Sequence, residues 1–306
     1  MKAVVFAYHT MGAIGIRALI KHGFTLPKVY THDDDPRENI WFESVAELCR
    51  QHDIPCAAPP DVNTPAVVTE IKSLQPDIMF SFFYRQMLKS ELLAIPPRGA
   101  LNLHPSLLPR YRGRSPLNWV LVKGERKTGV TLHYMVEKPD AGGIVAQAET
   151  EIAKEDTAKT LHDKLAALAA DMLDQALPRI RAGTAPNRPL DLAQGSYFGG
   201  RKPEDGRIDW TQSCWEVYNL VRAVTRPWPG AFSYFMGEKV MVWMVSPDDA
   251  APGLLASGEM DIEDDQVHVG ARFGSVRLTE IEFKGKVLTG PQIAKELGPY
   301  WREKFK

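Results

Sequence analysis

The 306-residue chain carries 37 Lys and Arg against 38 Asp and Glu, a formal net charge of −1, and 44% apolar residues. That balance argues against broad phosphate contact with nucleic acid or an acidic membrane surface, and no run approaches the roughly 18 consecutive apolar residues of a membrane span. Cys49, Cys56 and Cys214 form no C-x-x-C pair, so neither a disulfide framework nor a cysteine zinc site is supported, and a reducing cytoplasm is the expected setting.

Ala3 to Ala7 reads as a strand that starts at once, without the longer apolar run of a signal peptide. Thr10 to Ile20 then reads as a helix and Val29 to Thr31 as a second strand, a β-α-β unit with a parallel sheet. Asp33-Asp34-Asp35-Pro36 is expected to start the next helix, because acidic residues and Pro suit a first turn. Trp41, Val45, Leu48 and Cys49 recur behind it at helical spacing and are expected in the core. Asp77 to Phe82 and Ala100 to Leu103 are further apolar strands. Gly129 to Met135 and Gly143 to Gln147 read as an added pair that makes the sheet mixed at one side. A helix is predicted from about Thr157, with Leu161, Leu165, Leu168 and Met172 along one face; the basic run Arg179 to Pro189 reads as a connection. Beyond Gly199 to Gly206 the pattern changes to one helix, Trp215 to Val224, and β-type segments at Phe232 to Phe235, Val240 to Val245, Val267 to Val269 and Ser275 to Phe283. Gly237-Glu238 and Phe273-Gly274 are expected hairpin turns. The predicted fold class is α/β, a Rossmann-like, mainly parallel sheet over residues 1–204 followed by a small OB-like β-barrel domain over 205–306.

The stretch Leu101 to Trp119 carries the chemistry. Residues two apart on a strand share a face, so Asn102 and His104 address one volume. The amide is a hydrogen-bond donor, and the imidazole titrates near neutral pH. Pro105, Pro109 and Pro116 exclude a long helix or regular strand behind them, which leaves a stiff loop holding Arg110, Arg112 and Arg114 beside the strand end. Asp140 lies in a Pro/Gly-bounded loop between two predicted strands, where a carboxylate could reach a neighbouring strand end; a plain turn aspartate is the alternative.

Other features are plainer. Gly12-x-x-Gly15 sits at a strand-to-helix turn but lacks G-x-G-x-x-G, so it serves either tight packing or close approach of a substrate, and a nicotinamide cofactor is not expected. His32-Asp33-Asp34-Asp35 and Glu263-Asp264-Asp265 match no metal-ligand spacing and read as solvated charged turns; no metal is expected. His9, His22, His52, His133, His162 and His268 stand in no nucleophile motif and are expected to be structural or exposed.

Taken in order, Phe6-Ala7-Tyr8-His9, the run from Asn102 to Gly113, Lys127-Thr128-Gly129-Val130-Thr131, Asp140-Ala141-Gly142 and Arg222-Ala223-x-x-Arg226-Pro227-Trp228-Pro229-Gly230 resemble the folate-dependent formyltransferases. The Asn-x-His loop with a downstream Asp-x-Gly carries the likeness, and Pro-Trp-Pro-Gly narrows it to members with a C-terminal barrel. Within that family the chain is most similar to the branch tied to lipid A modification and polymyxin resistance, which formylates UDP-4-amino-4-deoxy-L-arabinose; Tyr8-His9-x-Met11-Gly12 and Arg114 to Trp119 carry that part. Pro105 departs from it, since Gly is common there. The chain ends before any decarboxylase domain of that branch, which gives the expectation of a stand-alone enzyme or a piece of a larger one.

The resemblance implies N10-formyltetrahydrofolate as co-substrate, a primary amine on a nucleotide-linked sugar as acceptor, and no metal. It implies Asn102, His104 and Asp140 as catalytic residues, with Asp140 orienting the imidazole and raising its pKa. It places folate contacts at Gln86, Met87, Leu88, Arg114 and along Val136, Glu137, Lys138, Pro139 and Asp140, and sugar-nucleotide contacts at Tyr8, Met11, Gly12 and Arg201. Ordinary core is the alternative for Met87 and Leu88. Methionyl-tRNA formyltransferase is the runner-up, disfavoured by the short acidic segment after the second strand, where tRNA enzymes carry a longer basic loop. A non-catalytic binding module is the alternative of another class. No nucleic-acid partner or membrane insertion is expected, and the oligomeric state stays open, a homo-oligomer included.

Overall fold

A computed structural model describes residues 1–36, 38–249, 255–300 and 303–306. Two compact units emerge: Met1–Pro116 with Lys127–Glu151 and His162–Gly199, and Leu117–Arg126 with Ile152–Leu161 and Gly200–Lys306. In chain order the elements through residue 198 are β1 (Lys2–Ala7), α1 (His9–Lys21), β2 (Thr25–Tyr30), α2 (Val45–Gln51), β3 (Cys56–Ala57), α3 (Pro65–Leu74), β4 (Ile78–Phe82) and α4 (Ser90–Leu93), then β5 (Ala100–His104), β6 (Arg112–Gly113), α5 (Pro116–Val122), β7 (Lys127–Tyr134), β8 (Ile144–Glu151), α6 (Ala158–Ala182) and β9 (Tyr197–Phe198).

The first unit is a seven-stranded sheet ordered β3-β2-β1-β4-β5-β7-β8. Its first five strands run parallel, whereas β7 and β8 are antiparallel additions at one side. Ala3 to Ala7 are fully buried because a central parallel strand is covered on both faces. One face packs Val4, Phe6 and Met79 against Val68 and Ile71 of α3 and Leu92 of α4; the other receives α1. The chain order turns back between β1 and β4, and the carboxyl ends of such strands are where open α/β sheets bind ligands.

Gly12 and Gly15 serve packing. A Cβ on Gly12 would stand 3.1 Å from Ala7, and one on Gly15 would lie within 2.6 Å of three carbons of the Phe82 ring. Gly15→Ala is therefore expected to destabilise the protein by about 1–3 kcal/mol, the usual cost of overpacking a core, although Ala is intrinsically the better helix former by about 1 kcal/mol. Thermal or urea unfolding measures this, and a variant as stable as the parent refutes the packing role.

Two expectations are corrected. Asp33–Pro36 start no helix: residues 31–35 carry no regular structure, and α2 begins at Val45, capped by Ser44, whose side chain accepts from the Glu47 amide. The acidic residues are drawn elsewhere, since Asp34 accepts the Tyr8 hydroxyl at 2.8 Å and Glu38 takes both guanidinium nitrogens of Arg85 at 2.8 and 2.7 Å. The segment is a strap tied to the ends of β1 and β4. Likewise Arg179 to Ala182 prolong α6, which runs through Pro178.

The second unit is built on α7 (Cys214–Val224), β10 (Ala231–Phe235), β11 (Glu238–Asp248), β12 (Met260–Glu263), β13 (Gln266–Gly270), β14 (Ser275–Phe283), β15 (Lys286–Thr289) and α8 (Pro291–Leu297). Helix α7 opens with a Ser213–Glu216 capping box. Three hairpins turn on two left-handed residues each, Met236-Gly237, Asp264-Asp265 and Lys284-Gly285, the twist-matched turn for a two-residue loop. The strands form an antiparallel sheet ordered β10-β11-β14-β13-β12 with β15 on β14. Phe305 bridges Phe235 beside one edge, and Lys304 bridges Glu259 beside the other. The last residues thereby close the barrel and cover both edges. Among the described residues no helix is long and apolar enough to cross a membrane.

Candidate active site

Strand β5 pairs with β7 so that Asn102 stands opposite His133 and His104 opposite Thr131. The period of two puts all four on one face. Across the mouth of the β7–β8 connection, Asp140 brings Oδ1 to 3.6 Å from Nδ1 of His104 and, equally, 3.6 Å from Nε2 of His133. Asn102 Nδ2 lies 3.2 Å from His133 Nε2. Asp140 itself has φ 50°, a left-handed conformation that Asp and Asn tolerate better than most residues, and its Oδ2 accepts the Gly113 amide at 2.8 Å. The predicted trio of Asn102, His104 and Asp140 is thus brought together, with His133 as a fourth member.

The loop behind His104 is pinned from β7 and β8. Thr131 donates its hydroxyl to the Ser106 carbonyl at 2.6 Å and accepts the Leu108 amide at 3.2 Å. Gln147 donates to both Thr131 Oγ1 and the Leu108 carbonyl. Farther along, Ser196 accepts the Tyr111 amide, and β6 pairs with β9. Tyr111 is held at φ 58°, and its carbonyl accepts a hydrogen from His104 Nε2 at 2.8 Å.

This arrangement sets the protonation of His104. A carbonyl only accepts, so Nε2 carries a proton when it meets Tyr111, while Asp140 favours a proton on Nδ1. A neutral ring satisfies one of the two; an imidazolium satisfies both. Burial nevertheless prevails and holds the His104 pKa below its ordinary value, against the upward pull of Asp140 and of the Tyr111 carbonyl. The upward pull expected of Asp140 is present, but the net shift is downward, because a ring so far from water loses the solvation of its charged form. For Asp140, burial acts upward, but His104, His133 and the Gly113 amide together hold the carboxyl at about 2. The site therefore contains a fixed carboxylate facing two histidines.

The remaining expected positions scatter. Gln86 is engaged by the loop before α3, accepting the Val62 amide at 3.0 Å and donating to the Pro60 carbonyl at 2.9 Å. Leu88 is a core residue, whereas Met87 is exposed. Val136, Glu137 and Lys138 are exposed and Pro139 is half-buried. Arg114 is exposed and anchored through its own amide to the Phe198 carbonyl, with one guanidinium nitrogen 3.4 Å from the Arg85 carbonyl. Tyr8 spends its hydroxyl on Asp34. Met11 is fully buried and Gly12 packs on Ala7, so neither side offers a substrate a surface. Arg201 belongs to the second unit, over the ring of Trp119. Among the described residues no group of His, Cys, Asp and Glu could hold a metal ion.

The sequence reading gave no place in the cluster to His133, Thr131 and Gln147, which lie in it or brace its loop. The signal was present: Thr131 and His133 are two apart on a predicted strand, as Asn102 and His104 are. What was lacking was the pairing of those two strands.

A family described as formyl transferase matches residues 8–177, and its C-terminal domain matches residues 201–298. The chain is similar to the N-formyltransferase from Helicobacter canadensis, solved with folinic acid and dTDP-3-aminofucose, at 18% identity over 91% of this chain and 98% of that one, with a TM-score of 0.72. It is similar to WlaRD, a sugar 3N-formyl transferase solved in the presence of dTDP and 5-N-formyl-THF, at 17% identity over 94% and 98% of the two chains, with a TM-score of 0.71. HypX from Aquifex aeolicus matches at 22% identity with a TM-score of 0.61 over 98% of this chain but 47% of its own. At such identities the likeness is one of fold.

Proposed function

Because the chain belongs to the formyl transferase family, we propose that it moves a formyl group from N10-formyltetrahydrofolate to the primary amine of a nucleotide-linked amino sugar, with UDP-4-amino-4-deoxy-L-arabinose as the acceptor that the sequence branch favours. The observation that carries the reading is the cluster of Asn102, His104 and Asp140 at the carboxyl ends of the sheet. The ligands of the two sugar formyltransferases of the same fold support the choice of substrates. The short, mainly acidic strap disfavours tRNA as the acceptor, since tRNA enzymes carry a longer basic loop there.

In this reading the amine attacks the formyl carbon and negative charge develops on the formyl oxygen. Asn102 Nδ2–H donates to that oxygen, the kind of contact whose removal costs about 2.7–4 kcal/mol of transition-state stabilisation. His104 acts through Nε2. In the present structure that nitrogen donates to Tyr111; once the carbonyl is replaced by substrate, Asp140 draws the proton to Nδ1 and leaves Nε2 basic. Nε2 then accepts the proton lost by the attacking amine and returns it to the departing folate nitrogen, with Asp140 compensating the imidazolium between the two steps. The exposed residues 136–138 and the Gln86 to Leu88 backbone are the proposed folate contacts, with Arg114 beside them.

Purified protein incubated with N10-formyltetrahydrofolate and UDP-4-amino-4-deoxy-L-arabinose should release tetrahydrofolate and a formylated sugar. Turnover with charged initiator tRNA and with no amino sugar would overturn the proposal.

A further inference from the structure

We propose that His133 is a positioning residue whose bare Nε2 accepts one hydrogen of the Asn102 amide and so fixes which end of that amide faces the reacting formyl group. This rests on the formyl-transfer reading of the site. The two ends of an asparagine amide are nearly the same size, so packing does not distinguish them; only a hydrogen-bond partner does. His133 supplies that distinction through its own tautomer. Its Nδ1 lies 2.8 Å from the Tyr134 carbonyl, an acceptor only, so Nδ1 holds the proton. In the neutral ring Nε2 is then an acceptor, and Asn102 Nδ2 stands 3.2 Å away. Turning the amide over would set the Asn102 oxygen against the Nε2 lone pair, inside a site where the His133 side chain is 2% exposed and water cannot relieve the clash.

Asp140 does not displace this pairing. Its Oδ1 lies 3.6 Å from Nε2, as it does from His104 Nδ1, whereas Asn102 Nδ2 stands closer at 3.2 Å, so the amide makes the shorter contact. The amide has two hydrogens. One meets His133, which leaves the other for the oxygen on which charge develops. The strand register brings the pair together, because Asn102 and His133 stand opposite each other across β5 and β7.

Two measurements test the inference. Long-range proton–nitrogen NMR on histidine-labelled protein, with the His133 signals assigned by their loss in His133→Gln, is expected to show hydrogen on Nδ1 and none on Nε2; hydrogen on Nε2 overturns the proposal. In kinetics, His133→Leu fills the strand face without an acceptor and is expected to lose about 10- to 100-fold in kcat, less than deletion of an oxyanion donor, with KM for both substrates changed by less than about threefold. His133→Gln, whose side-chain oxygen can accept from Asn102, is expected to recover most of that loss. Unchanged kcat in the Leu variant, or equal losses in both variants with matching unfolding midpoints, overturns the inference. If the wild-type protein formylates no amino sugar, the proposed function fails and the tautomer spectrum still decides the role of His133. The same spectrum decides it if a variant fails to fold.

Discussion

Asp140→Asn is expected to lower kcat by about three to four orders of magnitude, the scale seen when a buried carboxylate that orients a catalytic histidine is made neutral, while the protein folds normally. The substitution is chosen for the backbone. Asp140 sits at φ 50°, a conformation that Asn accepts and Ala resists, and the Asn oxygen can still take the Gly113 amide that now meets Oδ2. What changes is the face toward His104. A carboxylate draws a proton to Nδ1, but an amide can present N–H instead. The ring then keeps its proton on Nε2, where the Tyr111 carbonyl already holds one at 2.8 Å, and a base is missing at the nitrogen that needs it. KM should move little, because the loss is one of proton transfer. Single-turnover formylation and thermal unfolding on the same preparation separate the two effects. An Asn variant within tenfold of the wild-type kcat would refute the role given to Asp140. Asp140→Ala is the less informative change, since it also leaves the Gly113 amide without its acceptor.

The contrast between Asp140 and His133 shows what a sequence carries about such a site. Asn102 and His104 were legible because both lie on one strand, where the period of two is local information. By spacing alone Asp140 was legible only as a carboxylate in a turn, and its place beside His104 came from the family resemblance; that approach depends on how β5 pairs with β7, which no spacing specifies. His133 depends on the same register and on a tautomer set by Tyr134, so a lone histidine gave no reason to single it out. The strap fails for a related cause. Asp33 to Pro36 have the composition of a helix start, yet the Tyr8 hydroxyl and the Arg85 guanidinium lie within reach of the acidic residues, and tertiary partners override a local preference. Short elements of the second unit, β12, β15 and α8, went unpredicted because four to seven residues hold too little periodicity. The long alternating strand Ser275–Phe283 was predicted at its observed bounds.

Acid should destabilise the protein through His9, and the size of the effect follows from where its ring sits. The residue opens α1, and its imidazole stacks on Phe42 at 4.1 Å between centroids, meets Trp41 edge-on at 4.7 Å, and has Phe83 at 5.9 Å and His162 at 5.0 Å. Nδ1 is buried without a hydrogen-bond partner. Burial lowers its pKa to about 3, and the charges of His162 and Arg85 act the same way. The group on the far side is Asp163, whose carboxylate lies 3.3 Å from His162 Nδ1. The sign is fixed by comparison with an unfolded histidine near 6.5. Between those two values the unfolded chain binds a proton that the folded chain refuses, so stability falls as the pH falls, by about 1.4 kcal/mol per pH unit. From pH 7 to pH 5 the His9 contribution is about 2 kcal/mol. His32, lowered to about 4 mainly by burial, acts in the same direction, so the wild-type slope alone does not isolate His9. Urea unfolding of wild type and His9→Phe at pH 7 and pH 5 does: the ring-preserving variant should give up about 2 kcal/mol less than wild type over that interval, whatever its baseline stability. Parallel losses in the two proteins would mean that His9 is protonated in the folded state at little cost. That would contradict an aromatic box in which Trp41 and Phe42, the apolar residues of the strap, close over an uncharged ring.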